Sequence, residues 1–245
     1  MPSFYKITIM TSGFDGFPQE GLEFFRKLKK NNKREWFQPR KQVFDEMVKA
    51  PMIELAGALN AQLARFAPDH IVEPAKAIYR IYRDTRFSND KTPYKTHIAA
   101  NFPRQGLGKH SGAGFYFSIG AYEIEIAGGV HMPGPEQLLA IREHIAANHN
   151  EFQNLAGKKS LIKLMGELHG NPLERVPKGF AADHPAAEYL KCRHWIFYST
   201  DLDPEIAATK DLFPELVKRM RAMTPFVQFL NHPLIEKHSA STIDT

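Results

Sequence analysis

Residues 115–126 read FYFSIGAYEIEI, and their alternation decides the class of fold. Phe115, Phe117 and Ile119 occupy every second position, as do Tyr122, Ile124 and Ile126 beyond Gly120-Ala121. Successive side chains of a strand point to opposite faces, so each half is a strand with one apolar side. Glycine at the first central position of a two-residue loop is the mark of a type II′ hairpin, here with Gly120 and Ala121 at its centre. The spacing predicts 113–120 paired with 121–129 in an antiparallel sheet.

Outward from this hairpin, Thr96, Ile98, Ala100 and Phe102 alternate in a further strand. Ala77–Arg83 reads as a strand with a polar excursion, and WIFYS, residues 195–199, as the last one. Helical spacing brackets this block. Leu22, Phe24, Phe25 and Leu28 recur along 16–30, until Asn31-Asn32 stops the helix. Asn32 with Glu35 resembles a capping box opening the next helix. Pro51 suits a helix start, and Met52, Leu55, Ala56, Leu59, Leu63 and Phe66 make an amphipathic face after it. Leu138, Ile141 and Ile145 line a helix after Pro133, and Asp183 with Pro185 opens a short one to Leu190. Asp203-Pro204-Glu205 begins the terminal helices, divided at Pro214. Strands clustered between helices predict α+β, a single domain with a largely antiparallel central sheet flanked by helices. The expected bounds are an extension at 1–15, the domain at 16–232 and a frayed tail at 233–245.

With 43% apolar and 24% charged residues in 245, the chain is ordinary for a globular protein, which excludes disordered and collagen-like classes. No repeat of 20–50 residues recurs. The single cysteine, Cys192, forms no internal disulfide and no CxxC pair. MPSFYKITIM lacks a run of roughly 7–15 apolar residues, and nothing approaches a membrane span of roughly 18. A cytoplasmic protein without signal peptide or membrane contact is expected.

The densest chemistry lies in RIYRDTRFSNDKTPYKTH, residues 80–97. From Lys76 to Lys95 six cations meet only Asp84 and Asp90, an excess of four in a chain whose net charge is +5. If the chain turns after Asp84, it brings Arg83, Arg86, Lys91 and Lys95 together. Ser88, Asn89 and Asp90 are turn and capping residues that leave backbone N–H groups nearby. Guanidiniums, an ammonium and free amides are what phosphate or carboxylate recognition uses. The expected anion site comprises Arg80, Arg83, Asp84, Arg86, Asp90, Lys91, Tyr94 and Lys95. Within it the two aspartates orient the arginines, and Tyr94 offers a hydroxyl or a stacking face. Lys178, in RVPKGF, adds a cation, and Arg142 faces either the site or solvent. For a catalysed reaction, Asp84 or Asp90 is the general-base candidate. Paired charges that only stiffen the loop are the alternative reading.

The strings GFPQEGLEFFRKLKKNNKREWF, IYRDTRFSNDKTPYKTHIAANF, GAGFYF, GGVHMPGPEQLLAIR and RVPKGFAADHPAAEYLK resemble, in that order, the blocks of a bacterial and fungal family. It is known only as a domain of unknown function, number 2461. The resemblance covers Gly16 to Leu230. It implies a single-domain protein whose signature lies in the basic block, and it implies no activity. His131 departs from the family, which more often has an aromatic residue there, and that argues against a metal site built on it.

Other chemistry is weaker. GLGKHSGAG, residues 106–114, fails as a phosphate loop: Pro103 stands where the first glycine belongs, and His110 replaces the magnesium-holding Ser/Thr. The eleven histidines give no HExxH and no pair at i and i+4, so neither metal nor cofactor is expected. No GxSxG occurs. Cys192, at a helix-to-strand junction, reads as an inert thiol. RKLKKNNKR, residues 26–34, is a second basic run, read as the solvated face of its helix.

Three functional readings follow. The first is binding of a small anionic ligand at 80–95, with turnover left open. The second is a nucleic-acid-binding protein in which the two basic runs join as a stripe; an excess of five charges implies weak nucleic-acid binding or none. The third is a structural or partner-binding module.

Overall fold

The computed structural model describes residues 13–108 and 111–243, with side chains to Ile235. In chain order the helices are α1 (Gln19–Lys30), α2 (Arg34–Phe37), α3 (Lys41–Phe44), α4 (Ala50–Phe66), α5 (Pro74–Ala77), α6 (Pro135–Ala147), α7 (His149–Ala156), α8 (Lys159–Met165), α9 (Ala187–Leu190) and α10 (Leu212–Ile243). The strands are β1 (His97–Phe102), β2 (Gly114–Gly120), β3 (Ile124–Val130), β4 (Leu168–His169) and β5 (Trp195–Ser199). They form one sheet in the order β1-β2-β3-β5-β4, antiparallel at every step. The fold is thus α+β with an antiparallel sheet, as the alternation around 115–126 requires.

The register gives the sheet two unlike faces. Ile98, Ala100 and Phe102 face inward on β1, Phe115, Phe117 and Ile119 on β2, Ile124, Ile126 and Val130 on β3, and Trp195 and Phe197 on β5; all are buried. Against them pack α10 and α8, with α4 on α10 and the Phe-rich α1 in the same core, so the helical layer covers this one face. The alternate residues form the outer face, and among the described residues no helix covers it.

Several expectations shift. The β2–β3 turn centres on Ala121 and Tyr122, with Ile119 opposite Ile124 and the Gly120 N–H donating to the Glu123 carbonyl at 2.9 Å. Gly120 has no positive φ, so the turn is not glycine-first. Tyr122 leaves the apolar row, stands 54% exposed, and lies under the Lys29 ammonium. Residues 77–83 make only isolated bridges, Ile78 with Ala100 and Tyr82 with Tyr94, because their carbonyl and amide groups alternate between β1 and 93–95. Asn32 caps no helix: its amide pairs with the Tyr94 backbone instead. The terminal helix is undivided at Pro214, which sits in its first turn where proline is tolerated, and its helical backbone continues past Pro233 to Ile243. Residues 1–12 of the expected extension, and 244–245, lie outside the described residues.

Candidate functional site

The segments 81–83 and 93–95 run antiparallel, tied by Arg83 N–H to Pro93 O (2.9 Å) and Lys95 N–H to Ile81 O (2.8 Å). Between them 84–92 projects as a loop with Phe87, 94% exposed, near its tip. The chain therefore does turn after Asp84, and its charges pair off. Arg86 grips Asp84 in bidentate fashion, at 3.0 and 2.7 Å. Arg83 bonds Asp90 and the Thr92 hydroxyl. Lys91 donates to the Thr85 carbonyl at 2.9 Å. The backbone N–H of Thr92, then Arg83, holds the Asp90 carboxyl down to about 2, and Arg86 lowers Asp84. Carboxylates so stabilised are poor proton acceptors at neutral pH, which disfavours both as a general base.

The remaining expected site residues part company. Tyr94 is 2% exposed and stacks on Phe37 at 4.1 Å between centroids, so its ring belongs to the core rather than to a ligand. Lys178 sits exposed in the loop after β4, beyond the opposite edge of the sheet from the basic block. Arg142 is buried and donates to the Cys192 carbonyl at 2.8 Å. Arg80 is exposed. Lys95 is half-buried, its ammonium 5.2 Å from the centre of the Tyr79 ring; burial and then the charge of Arg80 lower its pKa.

Tyr79 leads from this block to a feature that the sequence reading missed. On the outer face of the sheet lies a cleft of about 540 Å³, within the range of small-molecule sites. Its floor is Asn101 from β1, Tyr116 from β2, Glu125 and Ala127 from β3, and Ile196 and Tyr198 from β5. Tyr79 closes one side, 6.2 Å from the Tyr116 ring. His131, His169 and His194 close the other, with 5.7 Å between the rings of His131 and His194. Gly129, at φ +134° and one residue before the end of β3, also lines the cleft, in a conformation that glycine adopts without strain.

The electrostatics of the cleft are those of a partly buried polar site. Glu125 accepts only the Ser118 hydroxyl, at 3.4 Å, and forms no ion pair among the described residues. Burial, and then Glu123, raise its pKa. Burial and the Glu125 charge together push the Tyr116 phenol up to about 12. Burial lowers His194, and the neighbouring His131 and His169 lower it further. Such perturbed groups gathered in a cavity mark a functional-site candidate. One signal was present in the sequence. The outward row Tyr116, Ser118, Glu125, Tyr198 contains no lysine or arginine, whereas a solvated face ordinarily does.

Elsewhere, Cys192 is buried and its thiol is pushed up to about 11 by burial, which leaves it inert. Among the described residues no three His, Cys, Asp or Glu side chains stand together in a metal-holding group. The loop 103–113 borders the cleft through Pro103 and Gly112, while Lys109 and His110 fall outside the described residues. No helix among the described residues is long and apolar enough to cross a membrane. No match was found among curated proteins. A family model described as a conserved hypothetical protein, DUF2461, matches residues 20–229.

Proposed function

The chain belongs to the DUF2461 family, and from that premise we propose that it binds a small anionic molecule, phosphorylated or carboxylated, in the cleft on the outer face of the sheet. The observation that carries the reading is the cleft's polarity: three phenols and a carboxyl with no ion partner among the described residues line it, and the Lys95 ammonium lies 5.2 Å from the ring centre of one of those phenols, Tyr79. Lys95 holds its charge where burial disfavours it, and a bound anion would relieve that cost. The Tyr79 and Tyr116 rings offer flat faces to the body of the ligand. Glu125 lacks a donor other than Ser118, so the ligand supplies one, a hydroxyl or an amine. In this reading the anion sits at Lys95 and Arg80 rather than within the loop 84–92, whose arginines already hold aspartates. Should the bound molecule react, Glu125, whose pKa burial raises, is the cleft carboxyl placed to exchange a proton with it.

The test compares melting temperatures in phosphate or sulfate against chloride at matched ionic strength. Sulfate stabilises proteins generally, so the comparison is between the natural protein and its Lys95→Ala and Arg86→Ala variants. A smaller anion-induced gain in Lys95→Ala than in the natural protein or Arg86→Ala supports the cleft. Equal gains in all three sink it, and a deficit confined to Arg86→Ala moves the anion into the loop.

A further inference from the structure

A different observation, which shares only Arg80 and Lys95 with the cleft, concerns the two basic runs that are distant in sequence. The Asn32 side chain pairs with both backbone groups of Tyr94, donating to its carbonyl at 2.8 Å and accepting from its N–H at 3.1 Å. Lys29 lies over the ring of Tyr122, 4.5 Å from its centre. These contacts seat the turn after α1 against both the basic block and the β2–β3 turn. Lys29, Lys30, Lys33 and Arg34 thereby join Arg80, Lys91 and Lys95 on one side of the molecule. None of these seven enters an ion pair among the described residues. The carboxylates beside them are Glu35, Glu123, Asp84 and Asp90, and the last two are held by Arg86 and Arg83.

Exposed aromatic rings interrupt this surface. Phe87 is 94% exposed with the Arg86 guanidinium 5.7 Å from its ring centre, Tyr122 is 54% exposed beside Lys29, and Tyr82 is 44% exposed. We propose that this face binds single-stranded nucleic acid without sequence preference, the cations following the phosphates and Phe87 and Tyr122 stacking on unpaired bases. Cationic grooves with interleaved rings are how such strands are held, because every base has a face to stack. A duplex hides those faces and would leave the rings idle. A lipid surface asks for several apolar side chains, and among the described residues of this face only Phe87 is both wholly apolar and projecting.

The experiment is fluorescence anisotropy of a labelled 20-nucleotide strand of mixed sequence, titrated with the natural protein. Micromolar binding at 50 mM salt is expected, weakening with salt at a logarithmic slope of about 3, roughly 0.7 for each of about four phosphates neutralised. The double variant Lys30→Glu/Lys33→Glu should lose at least tenfold, and Phe87→Ala about tenfold. The control Lys159→Glu/Lys163→Glu carries the same charge change on α8 and should lose less than threefold. Every replaced side chain is exposed, so the fold persists in each. Four results would each overturn the proposal: no binding at 50 mM salt, equal losses in the two double variants, an unaltered Phe87→Ala, or stronger binding to duplex of the same length.

Discussion

Three asparagine side chains do in this protein what strand neighbours usually do. Asn32 pairs with Tyr94, Asn60 with Val72 and Asn231 with Ala113, in each case accepting from the backbone N–H and donating to the carbonyl. An amide matches one rung of a ladder, so each holds an irregular segment whose polar groups would otherwise lack partners. At Asn231, 1% exposed, both halves of the pairing are buried. Asn231→Ala should therefore lower the unfolding free energy by about 2–3 kcal/mol, read by urea titration, since two buried backbone groups lose their partners. Asn231→Asp should cost more, because a carboxylate sets an acceptor against the Ala113 carbonyl. Buried His70 carries a second residue-scale prediction. Its Nδ1 lies 3.0 Å from the Phe102 carbonyl, and burial keeps its pKa below the usual imidazole value. The folded state thus binds fewer protons there than the unfolded chain, and this part of the stability is complete above the ordinary pKa and lost as the pH falls below it. His70→Asn keeps a donor for Phe102 and should flatten the decline in melting temperature between pH 7 and 5. An unchanged slope would assign the decline to other groups.

Among the elements, a proline in the first turn of α4 explains a glycine in its neighbour α1. α3 and α4 are joined by a π-helical turn, Asp45–Lys49. Pro51 has no N–H to offer the Met47 carbonyl four residues back, and a widened turn is the common response. α1 crosses at this point, and a Cβ on Gly21 would run into that carbonyl. Helix propensity alone favours Gly21→Ala by about 1 kcal/mol, whereas overpacking against backbone costs about 1–3. The expected net result is destabilisation in chemical denaturation, and a more stable variant would show that the crossing relaxes freely. This crossing also marks how far the elements were legible. The apolar face from Met52 to Phe66 announced α4, and the alternation of 115–126 announced β2 and β3. Pro51 was legible as a helix start, and it sits in the first turn of α4; the π turn just before it was not, since the Met47 carbonyl it displaces meets α1 only in the fold. Asn32 had the spacing of a cap, and its bonding was decided by Tyr94, 62 positions away. The basic block was legible as charge, while its pairing was not, because that depends on where the loop 84–92 folds back. The cleft was least legible, since Tyr79, Tyr116, Glu125, Tyr198 and His194 meet only through strand register.

For the molecule as a whole, one apolar core runs unbroken from Phe14 to Leu234. The two tryptophans report on different parts of it: Trp36 on α2 packs beside Phe24, and Trp195 on β5 is fully buried. A single core predicts that unfolding followed by Trp36 in a Trp195→Phe variant, by Trp195 in a Trp36→Phe variant, and by far-ultraviolet circular dichroism gives midpoints that each agree with that variant's own backbone signal. A tryptophan transition clearly preceding the backbone transition would divide the core in two. The ends of the sheet carry a further consequence. β4 offers only two residues, and along β1 the Tyr79 N–H already occupies the Ala99 carbonyl while Ile78 bridges Ala100. An exposed row of unsatisfied strand groups is the template on which copies of a chain add to one another and aggregate. Neither margin of this sheet presents such a row over more than a few residues, so the same irregular segment that carries Tyr79 into the cleft also keeps neighbouring molecules from continuing the sheet as a fibre.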